Sequence, residues 1–475
     1  MKRNITLLVF GIVILLGCTK KGPESNIKTT YIQGNIKTTE YRENIILTKE
    51  TLLSDESECY LVELDKLGSF NYSLSLDYPQ TIHLGLSSTE YYSFLAYPGD
   101  SVYIEINDSI NQISYSNTEH QKLNASLRFI QSEIQNTINR KGNCEKDLSE
   151  KEYKYKLDSL RMDLLEKADS FSAQDENKPY YKYLRNEIDF FYITTLYDYE
   201  FLNKFIFKQE RQIPKGYYNL IDTILNNYND LTITQWTFNF FNRIQILYSN
   251  EDGTINFKEI TKLDSSLIRD IVLSRAIYTG IFRKEFKKAK TWLDSYNSLI
   301  FNDLLKEQLI REYETALSIF NNPDLKYAKI KSIKSNGKED VLGEIIKSNP
   351  GKVLYIKFWA PFCSPCIEQN HFIPQIEEKF HPNDFCVINI CLPFSTEKWK
   401  ATIKQYNIGG LHYILTDAQY NQLKAMFNLS GIPRYFLIDK KGNIIDDNAP
   451  IPGDYIMNGV NYDLVNKIQL LIKEK

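Results

Sequence analysis

The sequence predicts a multidomain α+β protein: a small β-sandwich first, a helical region next, and an α/β domain with a mixed sheet last. Three observations lead there. The chain has 475 residues, more than one hydrophobic core organises. Apolar residues recur at every second position up to about residue 115 and at helical spacing from there to about 321. After Asn322-Pro323-Asp324, short apolar runs and helical stretches alternate, as in a sheet covered on both faces. With 43% apolar and 25% charged residues, the composition excludes wholesale disorder. A net charge of −3 gives no basis for nucleic-acid binding.

The first 17 residues carry an address. Met1-Lys2-Arg3 is basic, residues 5–17 are apolar but short for a membrane span, and the run ends in Leu15-Leu16-Gly17-Cys18. Small residues ahead of a cysteine resemble the lipobox of bacterial lipoproteins. The resemblance implies a signal peptide over 1–17, lipidation of Cys18, and a periplasm-facing lipoprotein of the bacterial cell envelope, on the inner or the outer membrane. That compartment is oxidising.

A polar tether over 19–26 leads into the β-rich domain, placed at 18–115. Phe70, Tyr72, Leu74 and Leu76 alternate with serines and Asn71, and Pro98-Gly99-Asp100 turns the chain into Val102-Tyr103-Ile104. Several short strands with turns between them predict a small sandwich. The helical domain is placed at 116–322. Leu123, Leu127, Ile130 and Ile134 share one helix face, as do Leu157, Leu160, Leu164 and Leu165. Aromatic stripes there read as core, and Lys284-Glu285-Phe286-Lys287-Lys288 as a solvated face.

The last domain, 323–475, carries the chemistry. Val353-Leu354-Tyr355-Ile356 reads as a buried strand, and Cys363-Ser364-Pro365-Cys366 follows it directly within Phe358-Trp359-Ala360-Pro361-Phe362. A helical pattern (Ile367, Phe372, Ile373, Ile376, Phe380) comes next. The first cysteine thus falls at a strand-to-helix turn, where unpaired amides and the helix dipole stabilise a thiolate. The thiolate is the form that attacks disulfides. No second CxxC or Cys/His pair at zinc spacing accompanies it, so a metal is not expected, and a dithiol working alone needs no cofactor.

With Gly431-Ile432-Pro433 about seventy residues after the CxxC, and the hairpin Phe436-Leu437-Ile438-Asp439-Lys440-Lys441-Gly442 behind it, residues from about 325 onward resemble the TlpA/ResA branch of thioredoxin-like thiol–disulfide oxidoreductases. The resemblance covers about a third of the chain. More loosely, the Pro-Gly-Asp turn makes the first domain similar to the β-domain found ahead of such domains in envelope lipoproteins. It implies Cys363 as the exposed attacking thiolate and Cys366 as the buried resolving thiol, the two forming the redox-active disulfide. It implies a cis Ile432–Pro433 bond that presents the Ile432 backbone to a substrate strand, with Trp359 and Phe362 shaping an apolar rim. Its implied partners are disulfide-containing envelope proteins and a membrane electron donor.

Two positions depart from the family. Thioredoxins commonly bury an acid two residues before the Trp, where this chain has Lys357. ResA relatives often carry a glutamate three residues after the second cysteine, where this chain has Gln369. The proton acceptor for Cys366 is therefore open, and a nearby Lys357 would favour thiolate. Cys386 and Cys391 lie on one strand, ~16 Å apart, too far to pair, and read as small buried hydrophobes. Two other readings stand beside the first. A peroxiredoxin-like peroxide reductase would favour threonine where Ala360 stands. A partner-binding lipoprotein would use the redox domain only as an accessory.

Overall fold

Alternating burial builds the first unit. Its strands are β1 (Lys28–Lys37), β2 (Asn44–Glu50), β3 (Ser57–Glu63), β4 (Ser69–Leu76), β5 (Gln80–Gly85), β6 (Tyr91–Ala96), β7 (Ser101–Asn107) and β8 (Ile110–Tyr115). The computed structural model describes residues 28–37, 44–54, 57–86, 91–107, 110–141, 148–173, 181–209, 211–214, 216–220, 223–224, 228–250, 254–335, 340–454 and 459–474. The expected leader with Cys18, and Cys144, lie outside these residues. The strands form two four-stranded sheets, ordered β4-β1-β7-β8 and β3-β2-β5-β6. Ile32, Leu74, Val102 and Ile104 of the first sheet meet Leu47, Ile82, Leu84 and Phe94 of the second in one core, the layered packing of a sandwich. β1 and β7 run parallel so closely that a Cβ on Gly34 would fall 2.3 Å from the Ile104 carbonyl oxygen.

The helices that follow are α1 (Thr118–Lys141), α2 (Glu150–Ser172), α3 (Tyr181–Phe201), α4 (Gln235–Leu247), α5 (Phe257–Ile260), α6 (Leu267–Phe282), α7 (Phe286–Tyr296) and α8 (Asp303–Asn321). Side-chain caps start several of them: Ser149, Ser266 and Asn302 each accept a backbone amide three residues on. The aromatic stripes are core, with Phe190, Phe240, Phe241 and Tyr192 buried together. That core does not stop at the domain boundary. It takes in Leu52, Leu53, Tyr78 and Leu95 of the sandwich. The buried Arg275 of α6 donates to the carbonyls of Leu52 (2.6 Å) and Ser54 (2.9 Å). Ile233 bridges the Pro79 carbonyl and the Thr81 amide. Sandwich and helices therefore fold against each other.

The remaining chain alternates as expected: β9 (Ala328–Ile330), α9 (Val341–Lys347), β10 (Val353–Trp359), α10 (Ser364–Glu368), α11 (Ile373–Glu377), β11 (Phe385–Cys391), α12 (Thr396–Gln405), β12 (Gly410–Ile414), α13 (Asp417–Phe427), β13 (Arg434–Ile438), β14 (Ile444–Asp446) and α14 (Tyr462–Lys473), with a two-stranded pair β15 (Gly453–Asp454) and β16 (Gly459–Val460). The main sheet has six strands in the order β14-β13-β10-β11-β12-β9. β10, β11, β12 and β9 are mutually parallel, while β13 runs antiparallel to β10. Every residue of β10 is buried, which makes it the central strand, covered on both faces. One face packs on α9 and α13 through Leu342, Ile356 and Leu423, the other on α11 and α14 through Tyr355, Ile376 and Ile468. Helix α8 packs against α12 and joins the helical region to this layered domain. The multidomain α+β class and the thioredoxin-like C-terminal fold both hold.

Candidate active site

The central strand ends in Trp359, and the chain turns through Ala360-Pro361-Phe362 into a helix whose N-cap is Cys363. Pro365 sits in the first helical turn, where its missing amide hydrogen costs nothing. The Cys363 sulfur accepts the Cys366 amide at 3.3 Å. Cys363 and Cys366 form a disulfide, with S–S 1.99 Å and Cα–Cα 5.2 Å. The expected continuous helix after the cysteines is divided: α10 tightens into a 3-10 turn at Gln369–Phe372 before α11 begins, with Pro374 in the first turn of α11. The Ile432–Pro433 bond is cis, and half-buried Ile432 packs on the cluster that holds both cysteines.

Burial corrects two expectations. Cys363, expected exposed, is only 6% accessible, against 0% for Cys366. Both sulfurs sink into an apolar cluster with Trp359, Cys391 and Trp399. Trp359, expected on a substrate-binding rim, is 0% accessible. As the last residue of an all-buried strand, it has no route to solvent. Phe362 is 63% accessible, with its ring 5.8 Å from that of Phe394.

The departures from the family pattern take a definite shape. Gln369 is buried, and its Oε1 accepts the Gly453 amide at 3.1 Å. A Cβ at Gly453 would fall 2.1 Å from the Phe372 ring, so this close approach needs glycine and Gln369 secures it. Gln369 is therefore a structural tie, and Glu368 is exposed. Lys357 is 0% accessible. Its Nζ donates to the Cys366 carbonyl at 2.8 Å and to Asn370 Oδ1, and lies 5.5 Å from the Trp359 ring centre. Burial lowers its amine from 10.5 to about 7, because a desolvated cation without a counter-charge is disfavoured.

Sequence reasoning missed what surrounds that lysine. Lys357 is in register with Asn389 on β11 and Tyr435 on β13, and Asn389 with His412 on β12. These four buried polar residues form a row across the sheet, and Lys357 of this row reaches the helix that carries the cysteines. The signal was present: a lysine, an asparagine and a histidine each interrupt an apolar strand run. His412 Nε2 faces the Ile408 and Gly409 carbonyls, and burial lowers the imidazole to about 4. Burial keeps the Tyr435 phenol protonated.

The other cysteines are held in place. Cys391 lies in the apolar cluster of the disulfide and its thiol donates to the Leu392 carbonyl at 3.2 Å; burial raises its pKa strongly. Cys386 is half-buried on the opposite face of β11. Cys59 is a free thiol beside Thr48, pushed up to about 11 by burial.

Residues 339–453 match the family model Redoxin. Over 101 residues the chain is 22% identical to thiol-disulfide oxidoreductase ResA of Bacillus cereus, covering 21% of this chain and 57% of that one. The ResA of Bacillus anthracis matches to the same extent. The chain thus spans little more than half the length of these relatives. Among solved structures, a thiol-disulfide oxidoreductase from Bacteroides vulgatus overlaps 26% of this chain and 81% of its own, with 26% identity and a TM-score of 0.23. A protein disulfide isomerase structure from Bacteroides thetaiotaomicron overlaps 27% and 79%, with 27% identity and a TM-score of 0.23. The Redoxin match spans five of the six strands of the main sheet and the Cys363–Cys366 disulfide, so residues 339–453 are similar to a Redoxin domain and carry the thioredoxin-like fold.

Proposed function

We propose that this chain is a membrane-tethered thiol–disulfide oxidoreductase that reduces protein disulfides in the bacterial cell envelope. The observation that carries the reading is the Cys363–Cys366 disulfide at a helix start, beside a cis proline. Reduced, the pair gives a thiolate at Cys363, favoured by the helix N-terminus. It attacks a substrate disulfide, one substrate sulfur leaves with a proton, and a mixed disulfide remains. Cys366 then loses its proton and attacks Cys363. The second substrate thiol is released and two electrons have passed to the substrate. Exposed Phe362 and half-buried Ile432 offer an apolar landing surface for the strand that carries the disulfide.

The leader pattern over 1–17 and Cys18 support lipid attachment and the envelope location. Among the described residues no helix is long and apolar enough to cross a membrane, so on this reading the acyl chains hold the protein there. Each turnover leaves the pair oxidised, and a membrane electron donor restores the dithiol. Trapping tests this. Cys366→Ser in the full chain is expected to accumulate disulfide-linked adducts with envelope proteins that dithiothreitol releases. A folded variant that captures nothing contradicts the exchange mechanism.

A further inference from the structure

We propose that Lys357 is the proton acceptor for the resolving thiol of Cys366, its neutral amine taking the proton that must leave before Cys366 can attack. The inference rests on the exchange mechanism proposed for Cys363 and Cys366 and adds the base that this mechanism requires.

The geometry carries it. Lys357 projects from the central strand to the underside of the active-site helix, is wholly buried, and donates to the Cys366 carbonyl and to Asn370. Among the described residues no carboxylate pairs with it, its partners being a carbonyl and an amide oxygen. A cation held there would lack both water and a counter-ion, so the amine spends part of its time neutral near pH 7, with a lone pair free to accept. Side chains of the active-site helix itself do not fill the role. Gln369 has no basic group and is tied to Gly453. Glu368 and His371 are exposed.

The titratable groups on neighbouring elements do not compete. The His412 imidazole on β12 stays neutral down to about 4. The Tyr435 phenol on β13 stays protonated because burial raises it. The Glu377 carboxyl on α11 lies over Gly410 at the far side of the row and is itself raised by burial. Besides the cysteines, Lys357 is the group of this row that changes charge near neutrality.

The step balances. Neutral Lys357 takes the Cys366 S–H proton and becomes ammonium. The Cys366 thiolate attacks the Cys363 sulfur of the mixed disulfide, the Cys363–Cys366 bond forms, and the bond to substrate breaks. The leaving substrate thiolate takes up one proton, and the ammonium returns its own to solvent, restoring the amine. A buried ammonium formed at the Cys366 carbonyl also favours the thiolate at the moment it is needed.

The test follows the two phases of one turnover. Pre-reduced full-length protein is mixed with a peptide disulfide, quenched in acid at intervals from pH 5.5 to 9.5, and the mixed disulfide is quantified by mass. In the wild type the resolution rate is expected to rise and level off with an inflection near 7. Lys357→Met is expected to slow resolution at pH 7 by roughly 10- to 100-fold, to accumulate the mixed disulfide, and to move the inflection toward the ordinary thiol range of about 8.5. Lys357→Gln keeps an N–H donor for the Cys366 carbonyl but no basic nitrogen, and is expected to share the defect. Resolution with wild-type rate and pH profile in either variant overturns the proposal, and recovery by Gln assigns Lys357 a purely structural role. If the wild type forms no mixed disulfide, the exchange reading itself has failed, a result distinct from any change in the second phase.

Discussion

Replacing Cys363 with serine is expected to lower the rate of disulfide reduction by on the order of 10³-fold or more, since a serine hydroxyl is not ionised near neutral pH. Cys366→Ser is expected to fail differently. Its first attack survives, one substrate thiol is released, and turnover stops at the mixed disulfide. The asymmetry follows from position. Cys363 caps the helix, 6% accessible, and Cys366 lies one turn in at 0% with Lys357 bonded to its carbonyl. Equal rates of first-phase thiol release from the two variants would contradict the assignment of attacking and resolving roles. Cys363 is 6% accessible and its neighbour Phe362 63%, so on the proposed function the substrate approaches from the Phe362 side.

Lys357→Met is expected to stabilise the protein. Lowering the amine from 10.5 to about 7 corresponds to roughly 5 kcal/mol, at about 1.4 kcal/mol per pH unit. Met fills similar space without a charge. Against this, the Cys366 carbonyl and Asn370 lose a donor, which costs about 1–3 kcal/mol. A net gain of roughly 2–4 kcal/mol at pH 7 remains. The sign with pH is fixed. The unfolded chain binds the Lys357 proton up to about 10.5, and the folded chain only up to about 7. Between these values the unfolded state holds more protons, so raising pH favours the folded wild type. Urea titrations at pH 7 and 10 are expected to show the wild type closing most of its gap to Lys357→Met as pH rises. A gap that does not narrow would mean that Lys357 has an ordinary amine.

Much of the site was legible because its parts are local. A strand followed at once by CxxC, and an Ile-Pro ahead of the next strand, are short-range patterns fixed by backbone chemistry. What the sequence concealed depends on contacts between distant positions. Gln369 meets Gly453 across 84 positions, so no window shows that this glutamine is committed to holding a loop. Trp359 is expected on the rim, and only an all-buried β10 places it in the core. The polar row of Lys357, Asn389, His412 and Tyr435 exists because register aligns them, and strand order is a long-range property. In the first unit the alternation was clear, yet β1 pairs with β4 and β7, a topology that periodicity does not encode. Arg275, buried in α6 and bonded to the Leu52 carbonyl, shows that the helical region shares its interior with the sandwich.

The most direct test equilibrates the purified full-length protein in glutathione buffers of graded redox potential, quenches with acid, and counts free thiols with a mass-shifting alkylating agent, with Cys363→Ser/Cys366→Ser as reference. A reversible gain of two thiols at Cys363 and Cys366, following one two-electron curve in the native state, is the predicted result. A pair that stays closed until the protein is unfolded, or that opens and does not close again, would contradict the account.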